Sequence, residues 1–341
     1  MTDIAVAHAT SPYVTAYPWT GAFGTKVSDP GTLPTGNGEG VAFTTAHDHI
    51  AVAHGSSRYV TAYPWTGAFG TKLSDPATLP AGSGTAVAFT TSDDHIAVGH
   101  GTSPYVSVYP FTGAFGTKVS NPGTLPTGTG AGVAFATADD HIAVAHINSP
   151  RISVYPWTGA FGTKVSNPGT LPAGNGAAAA FTAADDHIAV GHGTSPRFSV
   201  YPWTGAFGTK LGDPGTPPGG NASGVAFTTA DDHIAVAHAN TPYLNIYPFT
   251  GAIGTKLADP ATTPTGGGTG VAFTAADDHI AVSHANSPRI SVYPWTGAFG
   301  TKVSNPGTLP AGNGTEVAFG EAGGGPPANK RRYSLSLTGV G

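Results

Sequence analysis

Short apolar runs separated by turn residues recur along the whole chain, and one stretch shows the unit. Val87-Ala88-Phe89-Thr90 is followed by the polar turn Thr91-Ser92-Asp93-Asp94 and then by His95-Ile96-Ala97-Val98-Gly99-His100. After Gly101-Thr102-Ser103-Pro104 come Tyr105 to Phe111, the pair Thr112-Gly113, and Ala114 to Val119. β-Branched and aromatic residues in runs of this length, bounded by Gly, Pro, Asn and Asp, predict four strands per unit. Helical solenoids would need long stretches of Leu, Glu, Lys and Arg with a 3.6-residue period, and these are absent from the sequence.

The unit is an internal repeat. His8, His54, His100, His146, His192, His238 and His284 are each 46 apart, as are Tyr17, Tyr63, Tyr109, Tyr155, Tyr201, Tyr247 and Tyr293. Four strands in a period of about 45 residues is the arithmetic of a β-propeller blade. The first run, Ile4 to His8, is a second strand with no first strand before it, whereas Val317-Ala318-Phe319 is a seventh first strand with no second after it. Pairing the two completes a seventh sheet and leaves no open edge. The expected fold is therefore all-β: a seven-bladed β-propeller over residues 1–320, with four antiparallel strands per blade, closed by pairing of the N- and C-terminal strands. Residues 321–341 are expected to form a Gly/Pro linker and a C-terminal strand.

Composition narrows the function classes. Charged residues make up 10% of the chain, against roughly 25% in an average soluble protein. A net charge of −5 offers no basic face for phosphate, so nucleic acid is excluded as a partner of the main body. No apolar run approaches the length of a membrane span, so no membrane insertion is expected. Met1-Thr2-Asp3 lacks the basic start of a signal peptide, and the absence of cysteine excludes disulfide and thiolate chemistry.

Candidate chemistry repeats with the fold. Asp93-Asp94-His95 and its copies, with His47-Asp48-His49 as a variant, read as hairpin turns or weak cation sites, and the turn reading is preferred because consecutive strand residues face opposite ways. The second histidine of each blade reads as a structural group bonded to a loop carbonyl. Lys26 and its copies sit on the outermost strand as guards against edge pairing. Trp19, Trp65, Trp157, Trp203 and Trp295 pack between blades or line ligand pockets. Because every blade carries the same groups, no catalytic residue, metal site or cofactor is expected, and the chain reads as a non-enzyme.

Two regions depart from the repeat. At the start of the third strand the copies read Tyr13, Tyr59, Tyr105, Arg151, Arg197, Tyr243 and Arg289, a rim of residue types enriched at binding hot spots. Beyond Gly323-Gly324-Gly325-Pro326-Pro327, a basic cluster of Lys330, Arg331 and Arg332 precedes an alternating run with Tyr333, Leu335 and Leu337 on one face, read as an anchoring strand or a frayed tail.

The motif order VAF, turn, HIAVAH, loop, RISVYPWTG resembles the WD40-like propellers over Asp3 to Gly320, although no Gly-His pair precedes the first strand and Tyr293-Pro294 stands at the Trp-Asp position. His238 to Tyr243 and Phe299 to Thr308 also resemble repeat proteins found among tailed-bacteriophage structural proteins. That resemblance implies a virion module, made in the host cytoplasm and released by lysis, displayed on tail or capsid for host attachment or decoration. Its partners would be other virion proteins, held through the C-terminal tail, and a host surface glycan or protein. A multivalent carbohydrate-binding bacterial propeller is the alternative.

Overall fold

The computed structural model describes residues 2–321, and in them twenty-one strands form seven antiparallel sheets of three. The first sheet takes β1 (Thr2–His8) and β2 (Val14–Trp19) from one end of the chain and its inner strand, β21 (Gly314–Glu321), from the other. In the remaining six the chain runs inner, middle, outer, as in β3 (Gly38–Phe43), β4 (His49–His54) and β5 (Val60–Pro64). The other inner strands are β6 (Gly84–Phe89), β9 (Gly130–Phe135), β12 (Gly176–Phe181), β15 (Ala222–Phe227) and β18 (Gly268–Phe273). Each packs against the inner strand of the next sheet, and the cycle β21, β3, β6, β9, β12, β15, β18 returns to β21. The chain is a closed seven-bladed propeller.

The middle strands explain why His-Ile-Ala-Val-Ala-His is apolar throughout its interior rather than alternating with polar residues. A blade has neighbours on both faces, so both faces are buried: Ile50, Ala51, Val52 and Ala53 are all fully inaccessible. The alternation that remains is one of size. Ile50 and Val52 pack against Ala5 and Ala7 of the first blade, whereas Ala51 and Ala53 receive Ile96 and Val98 of the third. Large residues enter the space left by small ones, and each buried Ile or Val contributes about 1.5–3 kcal/mol.

The expected fourth strand is a broken edge rather than a regular ladder. Phe23 forms an isolated antiparallel bridge with Trp19, Gly24 N–H donates to Pro18 O, and Val27 N–H donates to Ala16 O, with copies around the ring. The third strand runs into proline, which has no N–H to give, and that interrupts the ladder on this side. The seven lysines of the repeat lie along this edge, where Lys26 pairs with Asp29 and Lys118 with Asn121.

Closure occurs between the two ends as expected, with Ile4 opposite Phe319, Ala5 opposite Ala318 and Val6 opposite Val317. Tyr17 of the first blade donates its hydroxyl to Thr308 O at 2.7 Å, the same tie that Tyr63 makes to Thr32 O. Removing residues 314–341 would strip β21 and expose β1 and one face of each flanking blade. The expected outcome is loss of the cooperative thermal transition, followed by circular dichroism; an unchanged transition would refute closure as the source of stability.

Candidate active site in the central channel

The repeated polar groups are occupied in holding blades together. In the Asp-Asp-His turns the first carboxylate sits at positive φ and reaches the preceding blade, where Asp93 accepts the backbone N–H of Thr45 and Ala46 at 2.7 and 2.8 Å. The second turns back on its own hairpin, as Asp94 accepts from Thr90 Oγ1 and contacts His95 Nδ1, both at 2.8 Å. The second histidine of each blade is fully buried; its Nε2 usually meets the hydroxyl seven residues on, as His8 Nε2 meets Thr15 Oγ1 at 2.9 Å, and the loop backbone, at Thr10 for His8, favours its charged form. His238 faces Asn245 instead of Ser or Thr.

Trp19, Trp65, Trp157, Trp203 and Trp295 are between 1% and 4% exposed and pack edge-on against phenylalanines. They are inter-blade packing and offer no open ring face to a ligand. Tyr13, Tyr59, Tyr105, Arg151, Arg197, Tyr243 and Arg289 do share one rim, half-buried, each with φ between 61° and 81°. Their backbone carbonyls accept the N–H of the buried histidines, as Tyr13 O does from His8. They also crowd the first residue of the neighbouring inner strand: a Cβ on Gly38 would lie 2.2 Å from Tyr13 O, which is why six of the seven inner strands begin with glycine. Lys330, Arg331, Arg332, Tyr333, Leu335 and Leu337 lie outside the described residues.

The expectation that no blade carries a singular group is wrong. The chain contains three glutamates, Glu39, Glu316 and Glu321, and all fall on or beside the seam where the ring closes. That rarity is visible in the sequence, outside the 46-residue repeat. At the seam no hairpin joins β21 to β1 within the described residues, so the usual turn is replaced. Glu321 accepts Ala275 N–H at 3.1 Å, the bond made elsewhere by the turn aspartates. His47 stands where five other blades have aspartate, and Asp3 stands where six have histidine. The two exchanged residues meet: His47 Nε2 is 3.1 Å from Asp3 Oδ2, which also accepts Trp65 Nε1–H at 3.0 Å, with Asp3 fully buried.

Glu39 and Glu316 sit elsewhere, on the wall of the central channel, a cavity of about 370 Å³ lined by the seven inner strands. They occupy β3 and β21, which are neighbours in the ring. Glu316 lines the channel, half-buried, and burial pushes its carboxyl up to about 8. Its backbone partner, the N–H of Val317 at 3.0 Å, opposes this only in part. Burial also raises Glu39. Burial thus pushes both channel carboxyls toward the protonated state.

No family model and no curated protein matches the chain. Solved structures do. A Bacteroides fragilis protein provisionally described as a 6-phosphogluconolactonase is 12% identical, with a TM-score of 0.74 over 94% of this chain and 98% of that one. The Pseudomonas aeruginosa periplasmic gluconolactonase is 14% identical, with a TM-score of 0.73 over 94% of this chain and 100% of that one. The β-propeller domain of Cps50 (Swd1) from a Myceliophthora fungus is 11% identical, with a TM-score of 0.62 over 83% of this chain and 90% of that one. At such identity the likeness establishes the propeller fold alone. The reading as a phage virion module finds no support, and the neighbours named as lactonases overturn it. They likewise overturn the expectation of a non-enzyme, whose premise Glu39 and Glu316 had already removed.

Two results are expected from this chemistry. Asp3→Ala leaves the Trp65 N–H and His47 without their buried partner and should cost about 2–4 kcal/mol in chemical denaturation. The second concerns pH. Burial lowers His8, His54, His100, His146, His192, His238 and His284 to about 4. The unfolded chain then binds more protons than the native one between about 6.5 and 4, so stability should fall steeply as pH drops through that window. Glu316 acts oppositely: its folded value is raised, so the native state binds the extra proton and stability declines as pH rises from about 4.5 to about 8. Glu316→Gln should flatten only the alkaline decline in a series of urea melts.

Proposed function

We propose that the chain is a lactone hydrolase working in the central channel, with Glu316 as general acid and Glu39 as general base. The observation that carries this reading is the pair of channel carboxyls, both raised by burial, on adjacent strands of a fold shared with proteins named as gluconolactonases.

Lactone hydrolysis needs one proton removed from water and one delivered to the leaving oxygen. Glu39, as carboxylate, takes a proton from water while the water oxygen bonds to the lactone carbonyl carbon. The resulting tetrahedral species collapses, the bond from carbon to ring oxygen breaks, and the Glu316 hydroxyl supplies the proton that the ring oxygen acquires. The product is an open hydroxy acid. Proton return from Glu39 to Glu316 through channel water resets the pair. An unperturbed carboxyl would be ionised at neutral pH and could not donate; the buried environment of Glu316 is what makes the acid step available.

Hydrolysis of δ-valerolactone and glucono-δ-lactone, followed by base titration at constant pH, tests the reading. Glu316→Gln and Glu39→Gln should each lower kcat by about 10²–10⁴-fold. Glu39→Gln should remove the acid limb of the pH profile and Glu316→Gln the alkaline limb. A wild-type protein that opens no lactone, or glutamine variants that keep its rate, would refute the proposal.

A further inference from the structure

The wall of the channel is not sevenfold, although the blades nearly are. On one arc β18, β21, β3 and β6 present Thr269, Thr315, Glu316, Glu39 and Thr85. On the other, β9 and β12 present Ala131, Ala177, Ala178 and Ala179, and the inner strand that follows them, β15, adds the single hydroxyl of Ser223. The cyclic order makes the opposition direct. From β21 through β18 and β15, β12 is three places away, and from β3 through β6 and β9 it is again three places away. The alanine strand thus faces the two carboxyls across the channel.

Ala179 is the singular residue of that wall. Its position is valine in the other six inner strands, Val41 and Val317 among them, and those valines are buried whereas Ala179 is partly open. The missing γ-methyls leave an apolar recess opposite the acids. The three inner-strand threonines of the polar arc are tied to neighbouring blades. Thr315 donates to Gly38 O at 2.6 Å, Thr269 to Gly314 O at 2.8 Å and Thr85 to Gly130 O, so their hydroxyl protons are already committed between blades. No Lys, Arg or His is found among the described residues lining the channel, so a phosphate would meet two carboxyls and no counter-charge.

We infer that the substrate is an uncharged lactone bearing an aliphatic side chain, its ring at Glu39 and Glu316 and its chain in the recess at Ala179, which sets the size accepted. This rests on the lactonase reading and adds substrate class to it. A polyhydroxylated ring would lose hydrogen bonds to water that the alanine wall cannot replace. An alkyl group gains from the same wall.

The test compares kcat/KM for δ-decalactone, δ-valerolactone, glucono-δ-lactone and its 6-phosphate. δ-Decalactone should lead δ-valerolactone by about tenfold or more, with the two sugar lactones below both. Ala179→Val installs the residue of the six equivalent positions, so the fold should hold, as an unchanged melting transition would show. It should lower kcat/KM for δ-decalactone about tenfold, through KM, and leave δ-valerolactone within about twofold. A preference for either sugar lactone, or an Ala179→Val effect equal on all lactones, overturns this inference and leaves the lactonase reading standing. Absence of hydrolysis with every lactone overturns both.

Discussion

A blade here is a small sheet with both faces apolar, and neither face can leave water except against another blade. That constraint governs the molecule. It explains middle strands that are apolar along their whole interior, and it explains the alternation of Ile and Val with Ala: a face of large side chains on one blade needs a face of small ones on the next. Polar groups obey the same demand. Turn aspartates bond to the hairpin of the preceding blade, and tyrosine hydroxyls cross to a carbonyl of the preceding connection. Stability is distributed around the ring and depends on there being no gap in it.

A ring made from an open chain has one joint unlike the rest, and there the repeat gives way. Five interfaces are clasped by a turn aspartate; the two that border the first blade, whose sheet joins strands from opposite ends of the chain, are not. The exchange of His for Asp at 47 and of Asp for His at 3 places a basic ring and an acid together in a buried position, and Trp65 donates to the same carboxylate. Glu321 supplies the acceptor that the absent turn would have carried. The seam is where the sequence could diverge without breaking the fit of the other five interfaces.

The same release from symmetry shapes the channel. Inner strands meet water on the axis, so their side chains are less constrained than those between blades, and this is where the copies differ most in chemistry. Glutamates on β21 and β3 and alanines on β12 turn a pore of equal walls into one with a carboxyl-bearing side and an apolar side. A site with direction needs such asymmetry, and a propeller acquires it by a few substitutions near the axis while the interfaces stay fixed.

The period of 46 residues, the blade count and closure by the terminal strands were legible in the sequence, because hydrophobic periodicity and the out-of-phase ends are local properties that a ring must satisfy. The four-strand blade was legible in its runs, but not the reduction of the outermost run to a bridge, which depends on how a proline-bearing strand offers its backbone groups. The tryptophans could not be assigned from residue type, since only packing says which ring faces remain open. Glu39 and Glu316 were visible as two of three glutamates, yet 277 positions separate them along the chain. Their adjacency on one channel wall, the burial that raises both, and the alanine wall opposite exist only once seven blades close on a common axis. The sequence by itself determined a closed ring of repeated sheets, because each blade's apolar faces demand neighbours; tertiary structure alone decided where the chemistry lies, because closure brings distant exceptions to the repeat into one cavity and removes them from water.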